Sequence, residues 1–156
     1  MKLFAVLLFI AINSYASLPS QKEVRFAFQK AVTDEKSCRN LIKLLDEYNE
    51  KNSPLLAGYK ASATMLMAKY SFSPITKLSN FLKGKKLLER SIAADTQNIE
   101  LRYLRYIIQR KSPFYLQYKS SLKEDESILM KAVLNLKDRD LKKMIMAFLN
   151  SERVFK

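Results

Sequence analysis

Arg102, Arg105 and Gln109 fall on one side of a helix, because steps of three and four residues return to the same face. Leu101, Leu104, Ile107 and Ile108 form the opposite, apolar side, with Tyr103 and Tyr106 at the margins. Two guanidiniums and an amide in one stripe can hold a carboxylate or another oxyanion by paired hydrogen bonds. Asp125 is the acid to set against them. On a helix beginning near Lys123 it projects to the same side as Ile128, Leu129 and Ala132, where an acid needs a cap or a cationic partner. Two arrangements satisfy this pattern: an ion pair of Asp125 with Arg102 or Arg105 that joins two helices, or an arginine-lined groove that receives an anionic ligand.

Other chemistry is thinly supplied. The chain of 156 residues has no His, one Cys and two Gly. That composition leaves no zinc or haem set of the usual kinds, no Ser-His or Cys-His couple and no glycine-rich phosphate cradle, so no cofactor is expected. Cys38 has no partner within the chain and reads as a buried small hydrophobe, or else as half of an intermolecular disulfide. Carboxylate pairs remain: Glu124 to Glu126, and Asp46, Glu47 and Glu50, the latter beside Lys43 and Lys51. Lys83, Lys86 and Arg90 share a face opposite Leu78, Phe81, Leu88 and Ile92, a basic surface that solvent alone can explain. Lys85 falls inside that apolar stripe unless Gly84 breaks the helix or the side chain snorkels. The six Met, including Met65, Met67, Met144 and Met146, read as core filler.

Helices must position all of these groups. Apolar residues recur at i, i+3, i+4 and i+7 in almost every window, and strand-like alternation is absent. Leu41, Ile42, Leu44, Leu45 and Tyr48 form one stripe, and Leu55 to Tyr70, Ile128 to Leu136 and Leu141 to Leu149 form others. Ser53-Pro54, Ser73-Pro74 and Ser112-Pro113 each set a hydroxyl at an N-cap and a proline at the first helical position, where its missing N–H is harmless. Ser20 with Glu23 and Ser121 with Glu124 have capping-box spacing. These signals predict helices over 21–32, 34–51, 54–71, 74–94, 98–111, 113–120, 123–136 and 139–150. The fold class is all-α, with antiparallel helical hairpins joined by short turns.

Gly84, Leu88, Ser91 and Asp95-Thr96 fall where the second helix of a tetratricopeptide repeat has its small, large and small residues and its closing Asp-Pro. Gly58-Tyr59 matches part of the first-helix signature, while Thr96 replaces the proline and the spacing from Gly58 to Gly84 is too long for the two to fall within one unit of about 34 residues. The middle of the chain thus resembles a degenerate tetratricopeptide-like right-handed solenoid; an irregular helical bundle is the alternative. The run Asn98 to Arg105, followed by Gln109, Ser112-Pro113, Leu116, Tyr118 and Glu124-Asp125, is similar to a segment of small exported helical proteins of Bacteroidota with no assigned function. Gln117 stands where those proteins commonly have Gly. That resemblance implies a bacterial, periplasm-facing protein and no activity. An exported, basic, mostly helical chain of this size also resembles small muramidases, which implies carboxylate-based glycoside hydrolysis. Those enzymes hold their carboxylates beside a Gly- and Thr-rich hairpin, whereas Glu124 to Glu126 begin a helix here. An enzyme is therefore not expected.

Lys2, the apolar run Leu3 to Ile12 and the small residues ending at Ala16 have the form of a signal peptide over residues 1–16, leaving residues 17–156 as a single helical domain. The apolar run is too short to span a bilayer, which takes about 20 residues, and no later run is longer, so no transmembrane segment is expected after cleavage. Removing residues 1–16 takes away one Lys and no acid from a chain of formal net charge +13. Outside the cytoplasm such charge favours lipid headgroups, acidic polysaccharide or acidic protein over nucleic acid. The expected role is an exported interaction module that binds a protein or peptide partner through a helix groove. A basic protein that coats anionic lipid or polysaccharide is the alternative.

Overall fold

The computed structural model describes residues 18–154, so the expected cleavage after Ala16 lies outside the described residues. Seven α-helices follow one another among them: α1 (Gln21–Thr33), α2 (Glu35–Leu44), α3 (Pro54–Tyr70), α4 (Pro74–Ala94), α5 (Ile99–Lys111), α6 (Leu122–Asn135) and α7 (Arg139–Val154). The described residues contain no strand.

Side-chain caps fix most of the starts. Ser20 and Glu23 form a complete capping box, with the Glu23 N–H donating to Ser20 Oγ at 3.3 Å and the Ser20 N–H donating to Glu23 Oε2 at 2.8 Å. Asp34 caps α2, Ser73 caps α4, and Asn98 Oδ1 accepts from the N–H groups of Glu100 and Leu101. Asp138 Oδ1 accepts from the N–H groups of Asp140 and Leu141 at 3.1 and 3.0 Å, which starts α7. Ser121 makes no such bond, because Glu124 turns to Arg102 instead of closing a box. Ser53 and Ser112 likewise fail to cap; the Ser112 hydroxyl donates back to the Ile108 carbonyl at 2.7 Å.

Two of the predicted helices are shorter in the fold. The one over 34–51 stops at Leu44, because Asn49 and Asn52 bind each other's backbone and the Glu47 carbonyl, which gives that stretch a competing hydrogen-bond set. The one over 113–120 reduces to a single 3-10 turn at Phe114–Leu116, closed by Gln117 at φ 47°. Leu44, assigned to a core stripe, is consequently half exposed at the frayed end of α2. Leu78 is also half exposed, as are Met130 and Met146, while Met65 and Met67 are buried.

Two apolar clusters hold the helices together. The larger joins α1 to α4 and the inner side of α5, around Val24, Phe28, Leu41, Tyr59, Leu88 and Leu101. The smaller packs Tyr103 and Tyr106 of α5 against Leu129, Leu141, Ile145 and Leu149. Helix α5 contacts α3, α4, α6 and α7, which leaves Lys111 as its one exposed residue. Tyr103, Tyr106, Arg105 and Gln109, expected at its margins and polar face, are all buried for this reason. Both glycines serve close approach: a Cβ on Gly84 would stand 2.5 Å from the Ala61 carbonyl oxygen, and one on Gly58 would stand 2.2 Å from Leu101 Cδ2. Helix α4 runs unbroken through Gly84, and Lys85 leaves the apolar stripe by laying its Nζ 4.9 Å from the centroid of the Tyr118 ring.

Candidate functional site

The arginine stripe closes on itself. Arg105 Nε and Nη2 donate to Asp125 Oδ2 and Oδ1 at 2.6 and 2.8 Å, and its Nη1 donates to Glu89 Oε2 at 3.0 Å. Arg102 Nη1 reaches Asp125 Oδ1 and Glu124 Oε1, both at 3.2 Å. The Tyr118 hydroxyl donates to Glu89 Oε1 at 2.5 Å. Asp125 is fully buried, and the fork–fork geometry ties α6 to α5 and, through Glu89, to α4. Of the two arrangements that the sequence allowed, this is the ion pair between helices. Burial pulls the Arg105 guanidinium down, but the Asp125 and Glu89 carboxylates outweigh it and set its net shift upward. Gln109 lies one turn further along, fully buried, and neither end of its amide has a hydrogen-bond partner.

A second centre was not anticipated. Arg25 Nε and Nη2 donate to Glu100 Oε1 and Oε2 at 2.7 and 2.6 Å, and Nη2 also reaches Asp138 Oδ2 at 2.7 Å. The Tyr59 hydroxyl donates to Glu100 Oε1 as well. The hydrogen bond to Glu100 raises Arg25 above its usual value against the pull of burial. Burial first, then the Glu100 charge, raises Tyr59. Arg25 holds the Asp138 carboxyl below the ordinary carboxylate range. The signal for this centre was present in the sequence. Arg25 falls on the buried stripe of α1, three residues before Phe28, and Glu100 is one residue before Leu101 and four before Leu104. The requirement of a partner for a charge on an apolar face applies to both.

An open groove of about 560 Å³ lies where the end of α3, the start of α4, the end of α5 and the 3-10 turn meet. Met65, Leu66, Phe81, Ile108 and Leu116 form its floor and walls, and the half-exposed Leu78 lines it as well. Lys69, Lys77 and Lys111 are its charged lining residues, and no acid lines it. The volume lies in the range of pockets that hold small molecules or a few anchoring side chains, about 300–1,000 Å³. Neither the Arg102, Arg105, Gln109 and Asp125 set nor the Lys83, Lys86 and Arg90 set lines it. The latter three are exposed on α4, with Arg90 Nη1 3.7 Å from Glu50 Oε1. What marks the groove in the sequence is modest: Phe72, Ile75, Phe114 and Tyr115 flank two Ser-Pro pairs and fall outside every apolar stripe.

Cys38 is fully buried, its Sγ–H donates to the Ala63 carbonyl at 3.2 Å, and burial pushes the thiol up to about 11. Among the described residues no group of three His, Cys, Asp or Glu side chains is placed to hold a metal ion. No helix of the described residues is long and apolar enough to cross a membrane. No protein-family model, curated protein or solved structure matches this chain.

Proposed function

We propose that the protein is an exported helical interaction module that receives an apolar side-chain cluster of a protein or peptide partner in the groove between α3, α4 and α5. The groove itself carries this reading: an open apolar trough whose charged lining is wholly basic suits apolar anchors flanked by acids. The two arginine centres lend themselves to structure rather than chemistry, since the carboxylates of Glu100 and Asp125 are each held by a guanidinium fork. Their engagement supports a binding role over a catalytic one at these two centres. The basic face of Lys83, Lys86 and Arg90 is weaker support for a surface-coating role, because Glu50 already stands near Arg90.

A photo-crosslinking side chain placed at Leu78, and in a second variant at Lys83, tests the groove against the basic face. Crosslinking of one envelope protein through position 78, retained at high salt, is the expected result. Crosslinking through position 83 alone, lost as salt rises, would replace the groove by a charge-held surface. Export is tested separately by the intact mass of protein recovered from the envelope fraction. It should begin at or within two residues of Ser17, and a retained Met1 would rule out the signal peptide.

A further inference from the structure

Phe72 is 100% exposed, Ile75 82%, Phe114 84% and Tyr115 78%. Only Tyr115 of these lines the groove, so an occupant of the groove leaves three of them unexplained. All four sit on or beside the two turns that the groove joins, the α3–α4 turn and the turn after α5. The α3–α4 turn is braced: the Ser71 hydroxyl donates to the Met67 carbonyl at 2.7 Å and accepts from Asn80 Nδ2 at 3.2 Å. Phe72 is therefore presented to solvent by a fixed turn. Single exposed apolar residues are ordinary on protein surfaces, but a cluster of large ones at one end is not. Around them stand Lys69, Lys77 and Lys111. The Lys69 Nζ donates to the Val32 carbonyl at 2.8 Å, and the Lys111 Nζ lies 5.5 Å from the centroid of the Phe148 ring. The nearest acids on α2 are engaged elsewhere, with Asp34 on the Ser37 N–H and Glu35 on Arg39.

We infer that this end of the fold docks on an anionic lipid bilayer, inserting Phe72, Ile75, Phe114 and Tyr115 among the headgroups while the three lysines meet lipid phosphates. Aromatic and aliphatic side chains at a rigid tip, ringed by cations, match the polarity gradient of a membrane interface. Tyr115 and the three lysines also line the groove, whereas Phe72, Ile75 and Phe114 do not, so reporters at 72 and 114 separate membrane docking from the partner proposed there.

The chain has no Trp, so Phe72→Trp and Phe114→Trp each add a sole reporter. Leu134→Trp is the control: Leu134 is 75% exposed and lies four residues before Asp138, which joins Arg25 and Glu100 near the start of α5, away from the groove. The full chain is used in every variant, so residues 1–17 contribute alike. With phosphatidylglycerol vesicles, Trp at 72 and 114 should shift to the blue and be quenched by brominated lipid, and Trp at 134 should not. Phosphatidylcholine vesicles should bind at least about tenfold more weakly, given the contribution of each lysine near an anionic surface. Adding Phe114→Ser to Phe72→Trp should weaken binding by roughly tenfold, as expected for one large side chain withdrawn from an apolar environment. An equal shift at 134, no shift at 72 and 114, indifference to Phe114→Ser, or a shift caused only by a protein partner would each overturn the membrane reading.

Discussion

The two buried arginine centres share a plan and differ in reach. Each has a guanidinium forked onto one carboxylate, a second carboxylate on the same arginine and a tyrosine hydroxyl that donates to one of the acids. Arg105 and Asp125 are 20 residues apart, on successive helices. Arg25 and Asp138 are 113 apart, and their bond fastens the start of α7 to α1. One centre braces neighbours; the other draws together distant parts of the chain. They also differ in redundancy, because Asp125 has a second guanidinium in Arg102, whereas Glu100 has beyond Arg25 only the neutral Tyr59 hydroxyl among its described partners.

Redundancy predicts the order of the largest effects. Arg25→Ala strands Glu100 at 4% side-chain exposure and should lower unfolding free energy by about 3–5 kcal/mol. Arg105→Ala leaves Asp125 with Arg102 and should cost less, about 3 kcal/mol, and Arg102→Ala about 1 kcal/mol. Urea midpoints of the three variants check the order. An Arg102→Ala loss as large as that of Arg25→Ala would mean that the two centres are equally dependent on every charge. Arg25→Met with Glu100→Leu sharpens the test, since a pair replaced by apolar groups of similar volume should recover most of the loss.

Acid should act on the Arg25 centre through Asp138. Its folded value is depressed, chiefly by the Arg25 hydrogen bond, so its contribution is present above the unfolded value of about 4 and is lost as pH falls through the folded value. Thermal melts taken from pH 6 downward should show stability falling below about pH 4. Asp138→Asn keeps an acceptor for the α7 cap but removes the charge, and its melting temperature should fall less steeply there. An identical slope in the variant would place the acid sensitivity in other carboxylates.

The difference between the centres is also a difference in legibility. Asp125 was readable because a single acid broke a clean stripe of Ile128, Leu129 and Ala132, and its arginines lay on the preceding long helix. Arg25 and Glu100 broke stripes in the same way, yet their pairing depends on α1 meeting α5 across the fold, which local periodicity does not carry. The all-helical class followed from period, and most helix starts from Ser-Pro pairs and capping residues. The failed caps, at Ser112 and Ser121, are places where a hydroxyl or carboxylate found a different partner. The groove was invisible as a shape, because it arises where the α3–α4 turn packs beside the end of α5 and the turn after it. Burial of Gln109 was missed because a helix packed against four others has its polar stripe covered as well.

Gln109 sharpens the comparison from the other side. It extends the stripe of the Arg105 centre by one turn, but its buried amide has no partner at either end, so it burdens the centre that Asp125 and Arg105 stabilise. A buried amide left unpaired is worth about 1–3 kcal/mol of lost stability, and methionine is a flexible apolar substitute of similar length. Gln109→Met should therefore raise the unfolding free energy by about 1 kcal/mol, read from the urea midpoint. A loss instead would mean that the amide makes bonds that stabilise the native state.

The smallest expected effect concerns how each centre obtains its tyrosine. Tyr59 comes from the middle of α3, on regular helical backbone, whereas Tyr118 follows Gln117, which holds φ 47° to turn the chain toward Glu89. The left-handed region costs a residue with a Cβ about 1–2 kcal/mol, and glycine occupies it freely at an entropic cost of about 0.5–1 kcal/mol. Gln117→Gly should then stabilise the protein by about 0.5 kcal/mol, while Gln117→Val, whose branched Cβ resists this conformation, should destabilise it by about 1 kcal/mol. Both changes should be confined to the Arg105 centre. Coupling measured by pairing Gln117→Gly with Tyr118→Phe should be appreciable, and coupling with Arg25→Met should be close to zero, as for sites with no shared partner. A glycine that destabilises would show that the Gln117 side chain itself holds the turn, and the backbone account of how Tyr118 reaches Glu89 would have to be given up.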